Sequence, residues 1–298
     1  MVHRLLLDVS SLTYRAYFAI RELRAPDGRN VAAVHGYLDM VVRLVASRRP
    51  DEVVHVYDHE WRPVRRAELF PGYKANRPAD PEDLPPQFEL LREVLGPTGM
   101  LQAQSDGWEA EDAIGAFCLE ADPDDRIEIV SGDRDLIQLV RDPVVRLLFT
   151  VRGVRELLEF DEATVLDRYG VPADRYVEFA ILRGDPSDGL PGVRGVGEKT
   201  ARALVAAYPD LDALLADAAR DAPENGFLRD RPALRTRLRE ASGYLDAMRQ
   251  LVPIHAQARL TVWAGERDDD ALRRLAERHG LVGPVGRLIA ALDSARAR

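Results

Sequence analysis

Short apolar runs alternate with segments of helical period through the first half of the chain. Leu5-Leu6-Leu7 ends at Asp8, and the runs at residues 53–57 and 127–130 also have the length and composition of buried strands. Further strands are predicted at 100–104 and 144–151, and helices at 12–20 and 34–47. This alternation predicts an α/β domain, doubly wound with a mostly parallel sheet, over residues 1–174.

The second half has fewer strand-like runs and more Ala, Leu and Arg at helical spacing. Helices are predicted at residues 175–182, 199–207, 211–219, 234–251 and 270–279. The change predicts a second, helical module over residues 175–298, with a frayed tail at 294–298.

One segment of the first module, residues 61–86, has neither the strand period nor the helical period. It is rich in Arg and Asp and contains Pro63, Pro71, Pro78 and Pro81. Long segments with little apolar surface are typical of mobile insertions. We therefore expect this insertion to be poorly ordered without a binding partner.

Carboxylates are gathered into five short clusters, three of which directly follow predicted strands. The nine acids are Asp8, Asp58, Glu109, Glu111, Asp112, Asp133, Asp135, Asp185 and Asp188. The carboxyl ends of parallel strands meet at one edge of a sheet, where α/β proteins bind ligands, so distant acids should converge there. Two like charges about 4 Å apart repel by roughly 4 kcal/mol at an effective dielectric near 20. The pattern therefore predicts divalent cations with a preference for oxygen ligands, Mg²⁺ or Mn²⁺.

Several of these acids also fit a purely structural role. Residues 106–109 and 135–138 have the spacing of capping boxes, and 185–189 has the composition of a plain turn. Asp8, Asp58 and Asp133 have no such local explanation in the sequence, because each follows a buried strand.

Composition and charge leave a nucleic-acid ligand possible. The chain has 298 residues, 46% of them hydrophobic, and a formal net charge of −9, which would be zero without the nine clustered acids. The single Cys118 excludes an intramolecular disulfide and suits a reducing cytoplasm. A signal peptide is not predicted, since the first apolar run stops at Asp8.

A glycine-rich loop follows the last acidic pair. Gly192, Gly195 and Gly197 allow positive φ and close backbone approach, and a helix is predicted to begin near Glu198. Such a loop can bind a phosphate through backbone amides without reading base sequence, and Lys199 can add a further contact. A flexible turn is the simpler alternative, but the surrounding pattern favours a helix-hairpin-helix.

With these residues in view, the chain resembles the 5′ nuclease family of flap endonucleases and 5′→3′ exonucleases, which includes the N-terminal nuclease domain of bacterial DNA polymerase I. The resemblance covers nearly the whole chain. It rests on five ordered motifs, at residues 7–16, 73–77, 107–112, 131–136 and 184–188 running into the hairpin.

The resemblance implies a PIN-like nuclease domain with a helical arch at residues 61–86, a helix-hairpin-helix module (H3TH) on duplex DNA, and two-metal hydrolysis. Asp8, Asp58, Glu109 and Glu111 would surround the first metal, with Asp112 beside them, and Asp133, Asp135, Asp185 and Asp188 would hold or orient the second. Lys74 and Arg77 would act at the scissile phosphate. DNA contacts are expected from Arg15, Tyr73, Gly192, Gly195, Gly197, Lys199 and Thr200, and relatives often hold K⁺ in the hairpin loop.

Alternatives remain for the basic and aromatic positions of the arch. Lys74 and Arg77 also fit a solvated basic loop, and Tyr73 fits either stacking on an unpaired base or the protein core. Two positions depart from the bacterial pattern, which usually has Asp at Glu111 and Asn at Gly189. A PIN-domain ribonuclease and a non-catalytic DNA-junction binder are the rival functions. We expect a monomeric, cytoplasmic, free-standing enzyme that acts on 5′ flaps or nicked duplex DNA, alone or beside a separate polymerase.

Overall fold

One mixed sheet forms the centre of the computed structural model, which describes residues 1–296. Its strands are β1 (His3–Asp8), β2 (Glu52–Val56), β3 (Leu101–Ser105), β4 (Arg126–Ser131), β5 (Val145–Thr150), β6 (Leu157–Phe160) and β7 (Leu260–Trp263). They lie in the order β6-β5-β4-β1-β2-β3-β7. The five central strands are parallel, and β6 and β7 are antiparallel edges. The predicted α/β class with a mostly parallel sheet is confirmed.

Helices cover both faces of the sheet and make up most of the second half. Those up to the end of the central strands are α1 (Val9–Ala19), α2 (Ala32–Arg48), α3 (Val64–Leu69), α4 (Pro85–Leu95) and α5 (Ala110–Leu119). Those that follow are α6 (Glu162–Tyr169), α7 (Tyr176–Arg183), α8 (Glu198–Ala207), α9 (Leu211–Ala219), α10 (Gly226–Arg229), α11 (Pro232–Glu240), α12 (Ser242–Leu251), α13 (Asp269–His279) and α14 (Val282–Arg296).

The sheet is buried on both faces, as expected for parallel strands. Side chains of β1 alternate between two cores, with Leu5 and Leu7 packing on the side of α2, α4 and α14 and Leu6 packing on the side of α5. The apolar runs of the sequence therefore correspond to strands that are covered by helices on both faces of the sheet.

Two features of the second half differ from the predictions. The single helix predicted over residues 234–251 is wrong, because the chain turns at Ala241 between α11 and α12, where Ser242 and Gly243 have low helix propensity. The strand β7 and the helix α14 were not predicted. β7 pairs with β3 and α14 packs on α2, so residues beyond 259 return to the sheet.

The division at residue 174 stays a prediction, and so does the frayed tail. Helix α14 extends to Arg296, and the last two residues of that tail lie outside the described part of the chain. Across residues 1–296, the helices lack the length and apolar character needed to cross a membrane.

The strand order locates a ligand site before any side chain is considered. From β1 the chain builds the sheet in one direction through β2 and β3, and then in the other through β4 and β5. Open α/β sheets bind ligands at this reversal, outside the carboxyl ends of the two strands that flank it. In this chain those strands are β1 and β4, which end beside Asp8 and Asp133.

Candidate active site

Asp8 and Asp58 are each held by a serine and by a backbone amide. Asp8 accepts hydrogen bonds from the Ser11 amide (3.0 Å) and the Ser131 hydroxyl (2.6 Å). Asp58 accepts from the Ala110 amide (2.7 Å) at the start of α5 and from the Ser10 hydroxyl. The prediction that Asp8 has no local structural explanation is therefore wrong, because Asp8 caps α1. Asp58 has no partner near it in the sequence, but it binds the first amide of α5.

Glu109, Glu111 and Asp112 form a cluster in which one carboxylate oxygen from each residue lies within 4.8 Å of the other two. Glu109 is the N-cap of α5, and Asp112 accepts the Glu109 amide at 3.2 Å, so the capping box begins at Glu109 rather than at Asp106. Asp112 also accepts the amide of His255 at 2.8 Å and is 0% exposed. Two of the three hydrogen bonds that Asp112 accepts therefore come from backbone amides, which fix it in the fold.

The guanidinium of Arg66 lies inside this cluster. It contacts Glu109, Glu111 (2.7 Å) and Asp112 (2.9 Å), and Arg66 is only 1% exposed. The sequence analysis did not identify this residue. The signal was indirect: so many converging acids require a buried cation, and Arg66 lies on α3, the one helical segment of the arch.

Asp133 and Asp135 lie on the turn after β4. Asp133 accepts the Asp135 amide at 2.8 Å, and its own amide donates to Ser131 at 3.0 Å. The expected absence of a local partner for Asp133 is therefore wrong. The capping box predicted at residues 135–138 is also wrong, because the Gln138 side chain bonds the carbonyls of Asp135 and Val252 instead.

The arch is docked on the turn that carries Asp185 and Asp188. The Lys74 amide donates to the Asp188 carbonyl (2.8 Å), and the Arg77 guanidinium donates to the Asp188 carboxylate (2.6 Å). Gly189 has φ +75°, and a Cβ there would collide with the carbonyl oxygen of Gly72. The departure at Gly189 thus coincides with the point where the arch backbone touches this turn.

Contacts of the arch reach the acids themselves. The Lys74 ammonium pairs with Glu109, and the Tyr73 hydroxyl donates to Glu109 at 2.7 Å. Tyr73 is 3% and Lys74 7% exposed, so Tyr73 packs in the core in this conformation and base stacking by it stays a prediction. In this conformation ion pairs and hydrogen bonds hold the insertion in place of apolar surface, and its poor order without a binding partner stays a prediction.

Burial and mutual repulsion raise the pKa of several of these acids. Burial, followed by the charge of Asp58, raises the pKa of Asp8 to about 7. Burial, reinforced by neighbouring carboxylates, also raises the pKa of Glu111, Asp133 and Asp135. The pKa of each of these groups is raised in part by carboxylates from another cluster, which shows that the clusters converge.

The donors fit hard divalent ions. All are carboxylate oxygens, the ligands that Mg²⁺ and Mn²⁺ prefer, and the raised pKa values mean that they require added positive charge to ionise together. Arg66 and Lys74 supply part of that charge. Burial alone would lower the pKa of both cations, but the carboxylates around them outweigh burial and raise it.

The hairpin loop, residues 191–197, is pinned by two buried valines. Val193 donates its amide to the Leu182 carbonyl, and Val193 and Val196 are buried while Gly195, Gly197 and Lys199 are exposed. Gly192 (φ +68°) and Gly195 (φ +72°) need the left-handed region. Gly197 does not: its φ is −90°, and a Cβ there would meet nothing within 4 Å. Thr200 follows in the first turn of α8.

Two arginines lie against glycines near the predicted DNA contacts. Arg15 lies over Gly132, where a Cβ would collide with its guanidinium, and reaches the Val151 carbonyl at 3.5 Å. Arg237 of α11 lies over Gly195 in the same way. Sequence analysis missed Arg237, since nothing local connects α11 to the loop.

The fold and the acidic site define a class of protein: a metal-dependent nuclease with a PIN-like domain and a helical DNA-binding module. Two family models match the chain. The 5′-3′ exonuclease N-terminal resolvase-like domain covers residues 3–170, and the 5′-3′ exonuclease C-terminal SAM fold covers residues 171–268. The chain belongs to the 5′-3′ exonuclease family.

Relatives along the full length carry the same description. A 5′-3′ exonuclease of Streptomyces coelicolor is 42% identical over 97% of this chain and 100% of its own length. A 5′-3′ exonuclease of Mycobacterium tuberculosis is 38% identical over 97% of each chain. DNA polymerase I of Mycobacterium bovis is 38% identical over 71% of this chain but only 24% of its own length.

Solved structures share the fold at low sequence identity. The T5 D15 protein crystallised with metal ions has a TM-score of 0.68 and 16% identity, covering 97% of this chain and 99% of its own. The catalytic core of Rad2 in complex with a DNA substrate has a TM-score of 0.61 and 19% identity, covering 99% and 92%. These likenesses confirm the predicted fold.

Proposed function

We propose that the protein is a structure-specific 5′ nuclease that hydrolyses DNA phosphodiester bonds at 5′ ends and flap junctions with two divalent metal ions. The observation that carries the proposal is the convergence of acids from five chain segments at the β1/β4 reversal, where burial and mutual repulsion raise the pKa of Asp8 to about 7. Such a site favours cations, and it lies next to a hairpin loop with exposed glycines.

Asp8, Asp58, Glu109 and Glu111 are the residues proposed to hold the first ion, and Asp133, Asp135, Asp185 and Asp188 to hold or orient the second. Divalent ions at such a site activate the attacking water and stabilise the leaving oxygen. Asp112 is assigned a supporting role, because its oxygens bind Arg66 and the amides of Glu109 and His255.

The chain's own cations have separate proposed tasks. Lys74 and Arg77, which pair with Glu109 and Asp188, are close enough to the acids to neutralise charge on a phosphate bound there. Arg15, with its guanidinium against Gly132 beside Asp133, is suited to hold the 5′ strand.

The second module is proposed to bind the duplex part of the DNA substrate. Gly192, Gly195 and Gly197 leave the loop backbone open to one phosphate, with Lys199 and Thr200 at the start of α8, and K⁺ is proposed to bind the loop carbonyls. The proposed ligand is a 5′-flap, nicked or branched duplex. We further propose that the protein is monomeric, works in the cytoplasm, and acts in replication or repair beside a separate polymerase.

Cleavage of defined substrates tests the proposal. A 5′-labelled flap and a nicked duplex are incubated with Mg²⁺, with Mn²⁺ and with chelator, and a labelled RNA hairpin tests the ribonuclease alternative. We expect metal-dependent cuts at or near the junction that leave a 3′-hydroxyl and a 5′-phosphate. Cleavage in chelator, or none on branched DNA with either metal, would refute the proposal.

A further inference from the structure

Arg66 is the largest fully buried side chain of the described residues, and its charged guanidinium is buried with the rest of it. The guanidinium reaches all three carboxylates of the only cluster with metal-ligand spacing found in residues 1–296. Its Nε atom has no hydrogen-bond partner among these residues. A side chain that served only to support the fold would be expected to satisfy that donor as well.

The oxygens that Arg66 contacts include those proposed for the first metal. Nη1 contacts both Glu109 and Glu111, and Nη2 contacts Asp112. A guanidinium and a divalent ion cannot both occupy the space between Glu109 and Glu111, because each requires the same lone pairs and the two charges repel. Asp112 differs, since it would keep its bonds to the amides of Glu109 and His255 if Arg66 moved.

The path by which Arg66 could withdraw lies in the arch. Arg66 belongs to α3, a helix of six residues, and the loop after it contacts the turn at Asp188 through Lys74, Arg77 and the close approach of Gly72 to Gly189. Lys74 has a left-handed backbone, φ +51°, a constrained conformation that is uncommon for a lysine. Release of this loop would relieve that constraint.

We infer that Arg66 is a positioning residue of the acidic site, an internal cation that holds Glu109 and Glu111 together until a divalent ion replaces it. The inference rests on the proposed function and names a step within it. Binding of the first ion requires the Arg66 guanidinium to leave the two glutamates while Asp112 stays in place. The arch then opens as a consequence of ion binding, before DNA arrives.

The test compares Arg66→Met with Arg65→Met, a matched control on the same helix. Arg65 carries the same charge but is exposed and lies over the Trp108 ring instead of the carboxylates. Mn²⁺ binding is measured without DNA by calorimetry at one pH. We expect Arg66→Met to bind Mn²⁺ at least about tenfold more tightly than the wild type, because a competing charge is removed. Arg65→Met and the charge-conserving Arg66→Lys should stay within about threefold of the wild type, since neither removes charge from the site.

Unchanged or weaker Mn²⁺ binding by a folded Arg66→Met variant would overturn the inference. If that variant does not fold in chelator, the wild type decides the question through hydrogen exchange of residues 64–77 with and without Mg²⁺. Exchange should become faster on addition of Mg²⁺, including at the Lys74 amide, which bonds the Asp188 carbonyl. Equal or slower exchange contradicts the inference. The proposed function fails separately, if the wild type neither binds Mn²⁺ nor cuts a flap.

Discussion

At the scale of single residues, the acidic site is built from side chains with two tasks each. Asp8, Asp58 and Asp133 all bind a backbone amide that shapes a helix or turn, and all belong to the proposed metal set. A carboxylate has two oxygens and about four lone-pair sites, so one structural bond leaves capacity for a cation. The sequence pattern indicated only a cation-binding role for these three acids, and the structure adds a bond to the backbone at each of them.

Asp133→Asn separates the two tasks, because the amide oxygen can still accept the Asp135 amide while the charge is lost. We expect single-turnover cleavage of a 5′ flap to fall by more than about a hundredfold, the upper end of what losing a mere outer-shell partner costs. Flap binding in a gel shift and the circular dichroism spectrum should stay unchanged. A parallel loss of binding and fold would favour a purely structural role.

The raised pKa values give the stability a definite pH dependence. A carboxyl group whose pKa is higher in the folded chain than in the unfolded chain holds its proton more tightly when folded. Its contribution to the free energy of unfolding is therefore fully present below the unfolded pKa and is lost as the pH rises through the folded pKa. For Asp8, with a folded pKa of about 7, the loss runs from about pH 4 to 7 and amounts to at most about 4 kcal/mol. In chelator, Tm should therefore be lower at pH 8 than at pH 5.5.

Added Mg²⁺ should reverse this trend, raising Tm far more at pH 8 than at pH 5.5, because only the ionised site binds it. Asp8→Asn should flatten the profile measured in chelator. A Tm that ignores Mg²⁺ at pH 8 would mean that the acids do not form a cation site.

At the scale of elements, the sequence predicted what local pattern controls. The central strands and α1, α2, α8, α9 and α13 were located within a few residues, since buried runs and helical periods are local signals. The strand β7 was missed because its pairing with β3 joins residues far apart in the chain. Arg66 was missed for the same reason: its importance depends on acids more than forty residues away.

The hairpin loop offers a test in which the fold is left unstrained. Gly197→Val places a side chain where the structure has open space and φ is negative, whereas a side chain at Gly195 would face both a positive φ and Arg237. We expect KM for a flapped duplex to rise about tenfold with little change in kcat and none on a short single strand.

Gly243→Val is the matched control, because Gly243 also borders open space but lies in α12. It should leave KM unchanged. Equal losses on duplex and single strand for Gly197→Val would mean that the duplex is held elsewhere.

At the scale of the whole molecule, the last helix of the chain packs against a helix near its beginning. The matched family regions end at residue 268, but α14 continues beyond them and packs against α2, where Leu288 is fully buried in the core that includes Leu38 and Val41. The first module therefore depends on residues from the far end of the sequence for part of its core. Local periodicity could not have predicted this dependence.

Leu288→Ala should lower the free energy of unfolding by about 2–5 kcal/mol in urea titrations, the usual cost of a large cavity in a packed core. Val282→Ala, at an exposed position of the same helix, should cost much less. A small loss at Leu288 would show that α14 is a loosely attached extension.

The short connection between the last acids and the hairpin loop also limits the distance between the acidic site and that loop. Only three residues separate Asp188 from Gly192, a span of at most about 14 Å even if fully stretched, and the buried Val193 ties the loop to the carbonyl of Leu182. In the proposed function, the hairpin loop that binds the duplex and the acids that hold the metal ions are therefore kept at a fixed distance from each other. The position of the cut would be counted in nucleotides from the edge of the duplex, independent of the base sequence and of how long the flap has grown.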